Sequence, residues 1–464
     1  MRRSVAQSHR ARSWLRAGTC QSLLMLVLIG SSLVARAQNT QLPPSLLLPN
    51  YDRVHPGLIE ALEAGAFIAR ARNAPAVAYN PAGISLTDRT ILNASTQGYQ
   101  ITFLGGSGFE HASPVSSFES LPSFLGIVFG RDLIDWEAVR LGFAVVTPVH
   151  WDQSVVATSQ PEAERRISYS VHSIFSTTVP TFSAGWAVSS SIRLGASIEF
   201  PYTSLSDQGQ LSSEVSTPTT SQGSIRNVTA GGSTLDLVGV VGAQWTPLRW
   251  LELGILIRSP GLRVLSTGSL NIESLTTLTS GGSRHAYFDD PDARFEYRSP
   301  LEVSMGAAFT LGRVQFEVDL RWHDGTQSYS LFSSNQQGRL VDTTSGVPVV
   351  SSFQFSGVPY RARPVVNASV GAHLTLTQAL NLSAGMYLDQ SPVDLLGQGF
   401  RRVDLIGFRT GIGLQLGGFG ASAGVGWEYG KATDDLVPDT AAQAEHEELT
   451  LNTFSILFSV SYKF

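Results

Sequence analysis

The sequence predicts an all-β fold: a transmembrane antiparallel β-barrel of about fourteen strands, with an N-terminal segment plugging the lumen. Three observations carry this expectation. The final residues alternate, with Phe454, Ile456, Phe458, Val460, Tyr462 and Phe464 on one face. Thr453, Ser455, Ser459, Ser461 and Lys463 take the other, and only Leu457 is out of pattern. A period of two belongs to a β-strand. The same alternation recurs as hairpins from Ile91 onward. Beyond the amino terminus no stretch approaches the roughly 18 consecutive apolar residues of a membrane-spanning helix. Forty-four glycines and charged residues at only 15% suit a barrel whose lipid and water faces average out.

The amino terminus reads as an export signal. Arg2, Arg3, Arg10, Arg12 and Arg16 form a basic region, Leu23 to Val34 an apolar run, and Ala35-Arg36-Ala37 a small-x-small cleavage site. Residues 1–37 are therefore expected to be a signal peptide. Their removal takes away Cys20, the only cysteine, and six arginines, leaving 26 of the 32 basic residues against 37 acids. That balance argues against a nucleic-acid partner. Without cysteine there is no disulfide framework and no thiolate chemistry.

Residues 38–90 do not alternate. Gln38–Pro56 is rich in Pro and Leu, Leu58–Arg72 is an Ala-rich helical candidate, and an apolar run of small residues follows. A free periplasmic tail would be more polar, so this segment is expected inside the lumen as a hatch. Residues 91–464 then form the barrel. Strands are expected at 91–103, 122–129, 139–150, 166–188, 192–202, 225–245, 251–267, 293–310, 314–331, 356–375, 380–389, 404–416, 421–430 and 449–463. The clearest hairpin is Leu301 to His323. Val303, Met305, Ala307 and Phe309 oppose Glu302, Ser304, Gly306 and Ala308, and the pattern resumes after Leu311-Gly312-Arg313. One charged face and one apolar face match a wet lumen and surrounding lipid. Short turns alternate with long polar stretches, expected as loops, at 104–121, 152–165, 203–224, 268–292, 325–355, 390–403 and 431–447.

The terminal strand ending on Phe464 resembles those of outer-membrane barrels, in which the last aromatic belongs to the assembly signal. Tyr79-Asn80-Pro81-Ala82-Gly83, after an Ala-rich stretch, resembles the hatch of the FadL/TodX outer-membrane transporters of long-chain fatty acids and hydrocarbons. Asp389-Gln390-Ser391-Pro392-Val393 is similar to a second signature of that family at a strand exit, and Arg258-Ser259-Pro260 to a third. The resemblance runs from about Leu58 to Phe464. It implies a fourteen-stranded barrel with a hatch, a bacterial outer-membrane location, and passive uptake with lateral exit at a kink in the third strand. The matching stretch contains Thr147, Pro148, Val149 and His150, with His150 where the family has glycine. Pro148 removes a ladder donor; a proline ending the strand at the extracellular rim is the alternative.

Apolar cargo needs an apolar pocket with few polar groups. Leu58, Ile59, Leu62, Phe67 and Ile68 are candidates for its lining, or for packing within the plug. Arg193, Arg258, Arg321 and Arg409 are candidate partners of a carboxylate head group. Pairing with Glu199, Glu252, Glu317, Asp319 and Glu428 is their other role. The dispersed histidines offer no metal-ligand spacing, and adjacent residues such as His172 and Ser173 on one strand face opposite ways, which argues against an enzyme. No cofactor is implied. The expected partners are a long-chain fatty acid or hydrocarbon, outer-membrane lipid and the barrel-assembly machinery, with the barrel a monomer. A barrel that recruits surface proteins through its loops and transports nothing is the second functional reading.

Overall fold

Backbone groups facing lipid must find partners within the protein, and a sheet satisfies this only by closing on itself. The computed structural model describes residues 49–52, 54–106, 115–117, 121–162, 165–217, 221–279, 281–394, 402–434 and 447–464. The expected signal peptide lies outside them, as does the start of the hatch segment.

Fourteen antiparallel strands close the barrel, as the alternation predicts. In chain order they begin with β1 Ile91–Gly106, β2 Leu121–Phe129, β3 Val139–Glu162 and β4 Arg165–Ala187. β5 runs in two pieces, Ile192–Glu199 and Tyr202–Ser216, followed by β6 Ser221–Leu248. β7 is Leu251–Arg258 with Leu262–Thr277, and β8 is Ser283–Asp290 with Glu302–Leu311. The rest are β9 Val314–His323, β10 Val365–Thr375, β11 Leu380–Asp389, β12 Asp404–Leu416, β13 Phe419–Asp434 and β14 Glu447–Lys463. Each pairs with its neighbours in sequence, and β14 returns to β1 in a ladder from Lys463↔Ile91 to Leu449↔Gly106.

The side chains sort as alternation requires. Met305, Leu320, Phe454, Phe458 and Val460 are exposed on the outer face, while Ser304, Glu317, Asp319, Ser455 and Ser459 are buried. Leu457, the one exception in the last strand, is buried facing inward.

Several stretches expected as loops are strand instead. Residues 152–159 pair with 174–167, and the ladder between Tyr202–Ser216 and β6 is unbroken from Tyr202↔Leu235 to Ser216↔Ser221. β3 is 24 residues long and β6 is 28, well beyond the roughly 9–11 that a bilayer requires. The extended ladders turn a Ser-rich face outward, while Trp151, Phe175, Leu205 and Val228 on the inward face join one apolar cluster. Within 325–355, Gln337–Asp342 and Val349–Gln354 likewise form a hairpin, which joins Ser283–Asp290.

Residues 49–90 pack against inward faces all round the barrel. Gly57 N donates to Ser95 Oγ of β1, Gln244 of β6 donates to Ala71 O, and Ser383 of β11 donates to Glu63. Ser422 of β13 donates to Leu58 O. The helix expected over 58–72 does not form. Gly65 (φ 71°) and even Ala64 (φ 55°) adopt left-handed backbone there. The amides of Phe67, Ile68 and Ala69 are drawn to the wall, where Asp319 accepts from the first two at 2.7 and 3.1 Å and Glu317 from the third at 2.5 Å. Hydrogen bonds to charged groups contribute roughly 1.5–3 kcal/mol each, enough to outweigh the helix propensity of a short Ala-rich run. Helical turns occur only at Ala76–Tyr79 and, as a 3₁₀ turn, Pro81–Leu86 among the described residues.

The wall makes room with paired inward glycines, Gly195↔Gly242, Gly254↔Gly306, Gly371↔Gly385 and Gly411↔Gly424. A Cβ at Gly195 would collide with the Pro81–Ala82 peptide, and one at Gly385 with the Glu63–Ala64 peptide. Gly195→Val should therefore displace the segment, raising planar-bilayer conductance and lowering the unfolding temperature, with a cost of about 1–3 kcal/mol or more for overpacking. Gly413→Ala, where the nearest atoms lie 3.9 Å away, should change neither property.

Candidate functional site

A cavity of about 180 Å³ lies between the N-terminal segment and strands β3 to β9. Val54, Ile68, Val146, Pro148, Val149, Val179 and Leu256 supply apolar walls, with the rings of Tyr51, Tyr79 and Tyr297. Of the five hatch residues expected to line a pocket, only Ile68 does so. Leu62 is buried where it fills the space left by Gly411 and Gly424. Phe67 packs edge-on against Tyr79, with ring centroids 6.0 Å apart. Leu58 and Ile59 are half-buried and lie outside the lining.

The cavity also holds charge, and each guanidinium in it meets a carboxylate. Arg258 Nε sits 2.9 Å from Glu199 Oε2, and its other side meets Glu302. Arg321 lies 3.3 Å from Asp52, whose carboxylate also meets His323 at 3.3 Å and accepts from Asn367 Nδ2 at 2.8 Å. Burial opposes ionisation of Asp52, yet Arg321, His323 and Asn367 together hold its carboxyl well below the usual range. Three carboxylates thus face two guanidiniums. The other two candidate arginines lie outside the cavity: Arg193 is 2.8 Å from Thr246 and 3.5 Å from Glu252, and Arg409 is 3.5 Å from Glu428.

The Asn80–Gly83 and Asp389–Val393 motifs tie to the wall the residues beside this cavity, among them a strap made of residues 50–52 and 54. Asn80 caps the 3₁₀ turn by accepting from Ala82 N at 3.2 Å, and its Nδ2 donates to Ile68 O at 3.0 Å and Ala243 O at 3.2 Å. Pro81 occupies the first turn, where no N–H is needed. Ala82 is buried against the wall, and a Cβ at Gly83 would strike Ala71 O. Asp389 O accepts from Asn50 Nδ2 at 2.8 Å, while Gln390 N donates to Asn367 Oδ1. Ser391 N donates to Asp404, Pro392 O accepts from Arg363 N, and Val393 is buried in the apolar cluster nearby. Tyr51, Asp52 and Val54 of the strap are not expected from the sequence, since only these distant contacts place them.

At β3 the pairing changes. The β2–β3 ladder runs from Phe129↔Leu141 to Phe124↔Val146, and among the described residues it stops there. The β3–β4 register shifts between Val146 and Val149, around Thr147 and Pro148. Inward-facing residues are accordingly even-numbered up to Val146 and odd-numbered from Val149. Pro148 lines the cavity, and its carbonyl accepts from Val54 N at 2.9 Å. His150 is half-buried and does not line the cavity.

Burial pushes the Glu60 carboxyl up to about 7, and it also raises Glu63 despite the opposing charge of Arg70. An acid whose folded value is raised stabilises docking below its free value, and that stabilisation is lost as pH rises through the folded value. Conductance should therefore rise between about pH 5 and pH 8. Glu60→Gln should weaken that dependence; an identical pH profile would contradict this assignment.

No family model and no curated protein matches the sequence. Solved structures do. The Pseudomonas putida toluene transporter TodX aligns with a TM-score of 0.58 and 12% identity over 89% of this chain and 99% of its own. A Pseudomonas aeruginosa FadL homologue gives 0.52 and 15% over 90% and 99%. The Ralstonia pickettii toluene transporter TbuX gives 0.52 and 13% over 89% and 99%. At these identities the likeness is one of fold, and the fold of this chain is that of the FadL/TodX barrels.

Proposed function

We propose that this chain is an outer-membrane channel for passive uptake of small, uncharged hydrophobic molecules, with residues 38–90 as its hatch and an exit through the wall beside Pro148. The observation that carries this reading is the cavity, apolar in its walls and ending at the β3 irregularity. Its size supports a small cargo, because a buried apolar cavity of roughly 150 Å³ is known to hold benzene. Its charge supports a neutral one. Arg258 and Arg321 are each already matched to carboxylates, so a bound fatty-acid head group would add a negative charge to a site with no spare cation. The fold shared with two toluene transporters supports the same class.

The lateral route is supported by the closeness of the plug to the wall, which leaves an axial path obstructed, and by the end of the β2–β3 ladder at the cavity. Continuing that register places Ser123 opposite Thr147, and both are buried. A Ser123→Cys/Thr147→Cys pair should form a disulfide across the seam, with no native cysteine beyond Cys20 to interfere. In cells lacking other hydrocarbon channels, the oxidised protein should lose at least tenfold in labelled toluene uptake, and reduction should restore it. Full uptake by the oxidised form would contradict lateral exit. No uptake by the unmodified protein, of either toluene or oleate, would favour the non-transporting barrel. Deleting residues 38–72 should raise conductance to small polar solutes; unchanged conductance would contradict the hatch.

A further inference from the structure

Pro148 has a counterpart on the other side of the same seam. The β2–β3 register pairs Phe124 with Val146. The ladder ends at that pair, and extending its register two steps past the end sets Pro122 against Pro148. Each strand also slips at this height. In β2, Ser123 and Phe124 are both buried in succession, and the β1–β2 register shifts between Ser95↔Phe124 and Thr96↔Pro122. In β3, Val146 and Thr147 are both buried in succession, and the β3–β4 register shifts there. Two bulges therefore face each other, each bounded by a residue without an N–H. Pro122 is exposed, and Pro148 is among the residues that line the cavity.

In an antiparallel ladder a residue's N–H and C=O serve the same neighbouring strand. Opposed prolines in a hydrogen-bonded pair lose both donors across the seam, and the local ladder then lacks the bonds that would zip it shut. We propose that Pro122 is the second positioning residue of the lateral exit, and that it keeps the seam unpaired jointly with Pro148. This rests on the lateral reading above and adds a residue that acts on it from the neighbouring strand.

The test is a double-mutant cycle on Pro122→Val and Pro148→Val, read by amide hydrogen exchange at residues 121–124 and 147–150 and by toluene uptake, with surface level and heat-modifiability as controls. Each single substitution should slow uptake about twofold. The double should slow it at least tenfold, more than the product of the singles, with exchange protection at the seam rising at least tenfold only in the double. If Pro148→Val alone gives the full protection and the full loss, or if the double protects nothing, the role of Pro122 is overturned. Should the Val variants assemble poorly, the same cycle with Ala applies. The outcomes separate from those of the disulfide experiment, in which Ser123 and Thr147 are the residues replaced: a disulfide that blocks uptake beside a failed cycle removes only Pro122. A disulfide without effect removes lateral exit, while exchange still decides whether Pro122 unpairs the strands.

Discussion

The interaction on which the rest of this structure depends is the docking of one stretch of peptide backbone onto the inner wall of the barrel. Asp319 and Glu317 receive three consecutive amides of the N-terminal segment, and Arg70 bridges Glu63 to Glu317 at 2.8 Å on the wall side. Inward glycines remove the side chains that would hold the segment away. Breaking buried charge pairs of this kind costs about 3–5 kcal/mol, so the segment is held firmly against the wall. With the segment docked there, the proposed exit leads through the wall. Among the described residues, the β2–β3 ladder ends at Phe124↔Val146.

The same docking shapes the cavity. Asn50 is held by the carbonyls of Asp389 and Val403, Asp52 by Arg321 and Asn367, and Val54 by Pro148. The strap therefore crosses the lumen from β11 and β12 to β3 and covers one side of the pocket. Arginines that a sequence reading offers to a carboxylate ligand serve the protein's own carboxylates. A buried pair of this kind adds little net stability over apolar packing, but it leaves no uncompensated charge to select an anion.

Much of this is legible in the sequence. A barrel wall separates lipid from water along every strand, so a one-dimensional alternation, as in Leu301–His323 and the last strand, yields strand number and orientation. The Asn80–Gly83 turn is also legible, because its cap and its proline act within four residues. What the alternation does not separate is strand from loop in the ladders at 152–159 and 202–216, whose outward face is rich in Ser and Gln while Val171 and Leu205 are buried on the inward one. The Ala-rich run at 58–72 misleads for a different reason: its amides are captured by Asp319 and Glu317, some 250 residues away. The pocket suffers most from this. Leu58, Ile59, Leu62 and Phe67 are apolar for packing, while Tyr51, Val54 and Tyr297 gain their place only through contacts between distant segments. Pro122 carries no signal of its own until the end of the β2–β3 ladder at Phe124↔Val146 is known.

The central claim is that the plug stays docked while a small neutral molecule passes between cavity and wall. A crystal structure with bromobenzene, located by its anomalous signal, tests this most directly. The account predicts bromine in the cavity among Ile68, Val146 and Leu256, and beside Pro148, with the Asp319 and Glu317 contacts to residues 67–69 intact. Bromine within a passage opened through the plug toward the periplasmic end, with those contacts broken, would contradict it.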